Sequence, residues 1–326
     1  MIQELSGQTL RLRMVLFTIN SRWTSPPILQ NLIFGTHRSC PGKSRLINPP
    51  AQRSLSSEPQ GRTILIWNGI PARWSPFFIL ATVTTVLAAG PTFAQSKPAT
   101  YEGKAVRIGH GTAHTVVRTD TKGDLASIGI VFTPGMLDGL PKAAKGADPD
   151  FPYLLLMPTK GPKTVVDHVV INWESAGHPP PHVYDVPHFD FHFYLVSHAE
   201  QMKVAFKDEK DSGDPSQQPP AELVPAGYIV PPGTAVSQMG VHAVNPSAPE
   251  FHNQPFNATF IYGYYNKQQT FIEPMASLAF LKSKPSFSAP VTRPASYAKP
   301  GAYPSAYRVK YDDAHRIYEV ALEDLK

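Results

Sequence analysis

Residues 177–194 read GHPPPHVYDVPHFDFHFY, and they carry four of the chain's twelve histidines. From His188 to Phe193 the stretch alternates without exception between ligand-type and aromatic side chains: His188, Phe189, Asp190, Phe191, His192, Phe193. Successive residues of a β-strand point to opposite faces, so a period of two is the pattern of a strand. Phe189, Phe191 and Phe193 then face a core, and His188, Asp190 and His192 line the other side. Alternation accounts for the aromatics. It does not account for three ionisable groups on one face, and such a face serves either as a metal or catalytic site or as a hydrogen-bonded polar network at a contact.

Working backwards, His178-Pro179-Pro180-Pro181 excludes regular helix or central strand, so an extended loop feeds the histidine strand. Proline is abundant throughout, 35 of 326 residues, about twice the usual share. Strand-and-turn folds tolerate this better than helical ones, because a proline inside a helix costs about 3 kcal/mol. Runs rich in β-branched or aromatic residues recur at 105–108, 113–119, 126–132, 153–157 and 165–173, the last two apolar enough for buried strands. Residues 136–140 suit one helical turn, and 196–206 suit either a strand or a short helix. Residues 207–222 are charged and proline-rich, as in an exposed loop. Segments 224–230 and 235–244 flank Pro231-Pro232-Gly233 as strand, turn and strand, and 256–265 with 270–273 read as a hairpin. A proline-rich connection at 285–304 leads to a C-terminal hairpin at 305–326, turning around Asp312-Asp313-Ala314-His315. The fold class is therefore mainly β, with residues 95–326 forming one sandwich-like or barrel-like domain with long proline-rich loops.

The front of the chain has a different character. Residues 1–94 hold nine Lys/Arg against two Glu, and the remainder holds 21 basic and 23 acidic residues. The net charge of +5 therefore belongs to the front, and no basic patch with interleaved aromatics follows, so nucleic acid is not an expected partner. Residues 75–94, SPFFILATVTTVLAAGPTFA, follow Arg73 and end in small residues, the pattern of a signal peptide cleaved after Ala94. The apolar core of that run, 77–89, is short for a membrane span of about 20 residues. The mature protein is expected to be periplasmic or secreted, with no membrane segment after cleavage. Residues 1–74 are read as a gene-model artefact ahead of the true start or as a disordered extension. The single cysteine, Cys40, lies there too, so any metal bound by the mature chain must use His, Asp and Glu.

Candidate ligands come from four places: His188, Asp190 and His192 on the central strand; His242 after the Pro-Pro-Gly turn; Glu273 in Phe271-Ile272-Glu273-Pro274; and His178 with His182 on the proline loop. Imidazoles with a carboxylate suit a divalent transition metal, whether Zn, Mn, Fe, Ni or Cu, and nothing points to an organic cofactor. Residues four apart on a strand are about 13 Å apart, so His188 and His192 do not readily share an ion. The economical set is one neighbouring pair, His188/Asp190 or Asp190/His192, with His242 and Glu273, leaving His178 and His182 as orienting partners or alternative ligands. The remaining histidines are isolated and are read as structural or exposed.

The combination of GHPPPHVYDVPHFDFHFY, MGVH (239–242), TFIYGYYNKQQTFIEPM (259–275) and KPGAYPSAYRVKYDD (299–313) resembles a domain-of-unknown-function family of exported bacterial proteins with a Thermus representative. The resemblance spans residues 102–325. It implies an exported, β-rich, oligomer-forming protein without an established activity. His178, His188, Asp190, His192, His242 and Glu273 match the family's polar positions, while Ala243 and Asn245 stand where an aromatic and an acid often follow the MGxH histidine. A weaker likeness is to cupins, which gather histidines and a glutamate inside a β-barrel. Three functions follow as expectations: an exported, homo-oligomeric metal-binding protein; a cupin-like metal-dependent enzyme acting on an unknown small molecule; or a purely structural oligomer.

Overall fold

A computed structural model of the chain describes residues 97–326. The readings of 1–74 and 75–94 lie outside the described residues. The architecture is mainly β, two antiparallel sheets packed together and not closed into a barrel. Of the two geometries the sequence allows, the sandwich is the one adopted, which removes the cupin barrel.

The first sheet holds β1 (Ala99–Glu102), β2 (Val106–Ile108), β3 (Gly111–Thr119) and β4 (Leu125–Phe132), then β11 (Ser286–Pro290), β12 (Ala306–Asp312) and β13 (Ile317–Glu323). Its order is β1-β3-β4-β13-β12-β11, with β2 pairing β3. The second sheet holds β5 (Asp150–Leu156), β6 (His168–Glu174), β7 (His188–Tyr194), β8 (Val241–Ala243), β9 (Ala258–Tyr265) and β10 (Gln268–Ser277), in the order β5-β6-β7-β10-β9-β8. Two short helices, α1 (His198–Gln201) and α2 (Leu278–Lys282), are both capped by serine. Ser197 and Glu200 form a reciprocal capping box on α1, which settles the choice at 196–206 in favour of a helix.

The period of two in β7 acts as expected on the inner side. Phe189, Phe191 and Phe193 are fully buried between the sheets, with Phe191 stacked on Phe132 at 6.2 Å and Trp173 against Phe189 at 4.8 Å. Each such side chain stabilises the fold by about 1.5–3 kcal/mol through removal from water. The outer side is buried as well, because every residue of β6 and β7 is covered. The long connections 175–187, 195–240 and 244–257 supply residues that pack on this face. Tyr184, Val244, Phe256, Ile261 and Met275 make one apolar cluster there, and Val170, Tyr194, Val196 and Phe271 another.

Several segments depart from the expectation. The strand β5 is an edge rather than a buried strand, with Leu154 at 37% and Leu156 at 58% exposure. The 224–244 hairpin is reduced to two isolated bridges, Ile229 with Val244 and Val236 with Gly240, followed by the three-residue β8. Four prolines in and beside these segments lack the N–H a full ladder needs. The connection at 285–304 contains β11, which closes one edge of the first sheet against β12. Its period of two, exposed and half-buried in turn, is masked in the sequence by small residues. The C-terminal hairpin forms as read, and β13 pairs β4 in the middle of the first sheet.

Candidate metal centre

Register brings the polar residues together. On β6, Asn172 lies opposite Asp190 and Glu174 opposite His188. On β10, Met275 lies opposite Asp190 and Ser277 opposite His188, and alternation puts Glu273 on the same face. The β7–β10 pairing steps from Ile272–Phe193 to Met275–Asp190, passing over Glu273 and Pro274. Proline has no N–H to give a ladder, so the interruption falls where Glu273 meets His192.

His242 arrives from β8, beyond β9. It lies opposite Gly263, which lies opposite Phe271 on β10. A Cβ on Gly263 would sit 2.1 Å from the Phe271 ring. The missing side chain lets that ring settle over β9, 5.3 Å from the His242 ring and 4.6 Å from the His192 ring.

The predicted ligands do not meet at one point. They divide into two groups, His178/His188/Asp190 and His192/His242/Glu273, whose donor atoms within each group lie within 4.8 Å of one another. Asp190 and His192, neighbours on the same face, belong to different groups. The same spacing of about 6.5 Å separates His188 from Asp190, so the division follows the partners each side chain meets: Asp190 turns to His188 and His178, and His192 to Glu273. His178 is a full member of the first group rather than an orienting partner. His182 enters neither; it sits exposed on the loop with φ 66°.

All four imidazoles in the groups are held in the same way. The Nδ1–H donates to an oxygen in each: His178 to Pro179 O (2.7 Å), His188 to Val186 O (2.6 Å), His192 to Asn172 Oδ1 (3.0 Å), His242 to Thr234 O (2.8 Å). A carbonyl can only accept, so Nδ1 carries the proton and Nε2 is left to bind. For His192 the acceptor is an amide, and its orientation is set by Asp150, whose two oxygens each receive Asn172 Nδ2 at 2.9 Å.

The Nε2 atoms approach carboxylates: His188 to Asp190 at 3.1 Å, His178 to Asp190 at 3.5 Å, His192 to Glu273 at 3.3 Å. Nevertheless, His188 Nε2, Asp190 Oδ1, His192 Nε2 and Glu273 Oε2 are buried without a hydrogen-bond partner. They are near but misaligned. Two donors each about 2.1 Å from a tetrahedral ion stand about 3.4 Å apart, which matches these separations.

Electrostatics distinguish the groups. Burial pushes His192 down to about 3 and His242 down to about 4, so both are neutral ligands at ordinary pH. Burial, then Asp190 and Glu174, hold the Glu273 carboxyl well above the usual range. In the first group burial works against charge on both partners, yet their mutual attraction outweighs it. Asp190 is held below the usual carboxylate range by His188 and His178, and His178 is raised to about 9 by Asp190. Glu174, pushed up to about 8 by burial and then by Asp190 and Asp150, completes the face, with Asp150 raised to about 6 by burial.

Glu174, Asn172 and Asp150 were not among the candidates from sequence. The signal for Asn172 and Glu174 was present in HVVINWE (168–174), where they share one parity with His168, and Val169, Ile171 and Trp173 share the other. The apolar majority hid it. Elsewhere the isolated-histidine reading holds for His168, paired with Asp167 and Gln201, and for His315, paired with Asp312.

Among known proteins, no curated protein and no solved structure matches the chain. Residues 120–173 are similar to the family described as TTHB210-like, hypothetical protein TTHB210, a stretch that runs from the turn before β4 to Trp173 on β6 and stops short of both histidine groups.

Proposed function

We propose that this is an exported protein that binds a divalent transition metal through His192, His242 and Glu273. One observation carries the reading: a buried imidazole Nε2 and a buried carboxylate oxygen face each other at 3.3 Å with no hydrogen-bond partner. Leaving such atoms unpaired costs about 1–3 kcal/mol each, more when charged, and an ion between them removes that cost. The Asn172 and Thr234 oxygens hold the two rings with Nε2 free, as the partners of metal-binding histidines do. Two nitrogens and one carboxylate suit Zn, Mn, Fe, Ni or Cu. The apolar run at 75–94 supports export, and the outward leucines of the edge strand β5 support self-association.

A metal-dependent enzyme is the second reading, favoured by the half-buried His242 beside two sealed ligands. Three protein donors leave a coordination position open, and a bound ion supplies Lewis-acid or water-activating chemistry there. The chain's own part is to hold the two neutral rings and exclude competing water with Phe271.

Elemental analysis of the protein purified without an affinity tag, beside the His192→Ala/His242→Ala variant, tests the binding reading. Loss of about one equivalent of metal in a folded variant supports it. A metal-free protein that takes up none on soaking sinks it, leaving the polar face as architecture.

A further inference from the structure

We infer that His178, His188 and Asp190 form a second divalent-cation site, so that the loaded protein carries two ions side by side along β7. The first reason is geometric. His188 Nε2 and Asp190 Oδ1 are 3.1 Å apart and both lack a hydrogen-bond partner, while His178 Nε2 approaches the other Asp190 oxygen at 3.5 Å. The Nδ1 atoms of both rings are already committed to backbone carbonyls. A plain ion pair would aim an N–H at the carboxylate. Here the sealed pair is aimed past one another, as donors around a common ion are.

The second reason is separation. The donor atoms converge in two separate triads, within 4.8 Å of one another in each, and Asp190 and His192 belong to different ones. The third is charge. Asp150, Glu174, Asp190 and Glu273 share this face, and among the described residues no Lys or Arg forms an ion pair with any of the four. Cations bound among these carboxylates offset their mutual repulsion. The nitrogen donors select Zn²⁺, Co²⁺, Ni²⁺ or Cu²⁺ over Ca²⁺ and Mg²⁺, which take oxygen ligands. His178, on the proline loop with 32% of its side chain exposed, gives the site its opening to solvent.

The pairing of two ions rests on the companion centre at His192, His242 and Glu273; the geometry of this site does not, and the two are tested separately. The full chain, stripped with chelator, is titrated with Co²⁺ and followed by visible absorption and calorimetry. Wild type is expected to take two equivalents, and His178→Gln and Asp190→Asn one each. His178 sits on a loop, so its replacement leaves the core intact, and circular dichroism checks the fold of both variants. A wild type that binds one equivalent, lost in His242→Gln and kept in His178→Gln, overturns this inference and leaves the first centre standing. Loss of one equivalent in His178→Gln but none in His242→Gln supports the second site and overturns the first. No cobalt bound by wild type overturns both.

Discussion

The two faces of β7 are equally buried and physically opposite. On one, Phe189, Phe191 and Phe193 meet Phe132 and Trp173, and every contact is satisfied by dispersion and exclusion of water. On the other, His188, Asp190 and His192 are just as removed from solvent, yet His188 Nε2 and His192 Nε2 come within 3.1–3.3 Å of carboxylate oxygens without bonding them. Burial alone therefore says little about what a strand face is for. The informative quantity is whether the buried groups are complete as they stand, and only the aromatic face is.

The contrast is broken most severely from the aromatic side. Phe191→Ala should cost about 3–5 kcal/mol of unfolding free energy, by the same amount with and without metal, because its cavity lies between the sheets. Denaturant melts of both forms check this, and a metal-dependent cost would show that the faces are coupled. Metal removal is the next largest effect. At a free-ion concentration a hundred times the Kd, each site stabilises by about 2.7 kcal/mol, so chelator should lower the melting temperature of wild type and lower that of His192→Ala/His242→Ala by about half as much.

A finer cut tests how the polar face is held. Asn172→Ala removes the acceptor for His192 Nδ1 and should weaken binding at that centre by about 10–100-fold, with the His178 site unchanged, as read by metal titration. The smallest effect is in pH. The raised carboxyl of Glu273 must lose its proton to bind an ion, so affinity should climb about tenfold per pH unit above the unfolded value near 4.5 until the folded pKa is reached. The metal-free fold runs the other way. A carboxyl whose folded pKa is raised contributes stability below its unfolded pKa and loses it as pH rises towards the folded one. Melts of stripped and loaded protein between pH 4.5 and 8 should therefore diverge as pH increases.

Strand, hairpin and core were legible where side-chain chemistry alternates sharply. HFDFHFY announces β7 and its inner face, and the aromatic run at 258–265 with its partner announces β9 and β10. Where alternation was blurred, as in HVVINWE, in the small residues of β11 and in the prolines around 224–244, the reading missed a polar face, a strand and the loss of a hairpin. The candidate ligand types were equally legible, because three ionisable groups on one parity of an otherwise aromatic strand are not explained by alternation.

Sequence alone determined which residues of β7 share a face, since the period of two is a property of the backbone itself. It could not determine which of those residues act together. That depended on register across β6 and β10, on the gap that Pro274 leaves in the ladder, and on Gly263, whose missing Cβ admits the Phe271 ring beside both His192 and His242. These are contacts between segments far apart in the chain. Tertiary packing therefore divided one row of polar side chains into two groups.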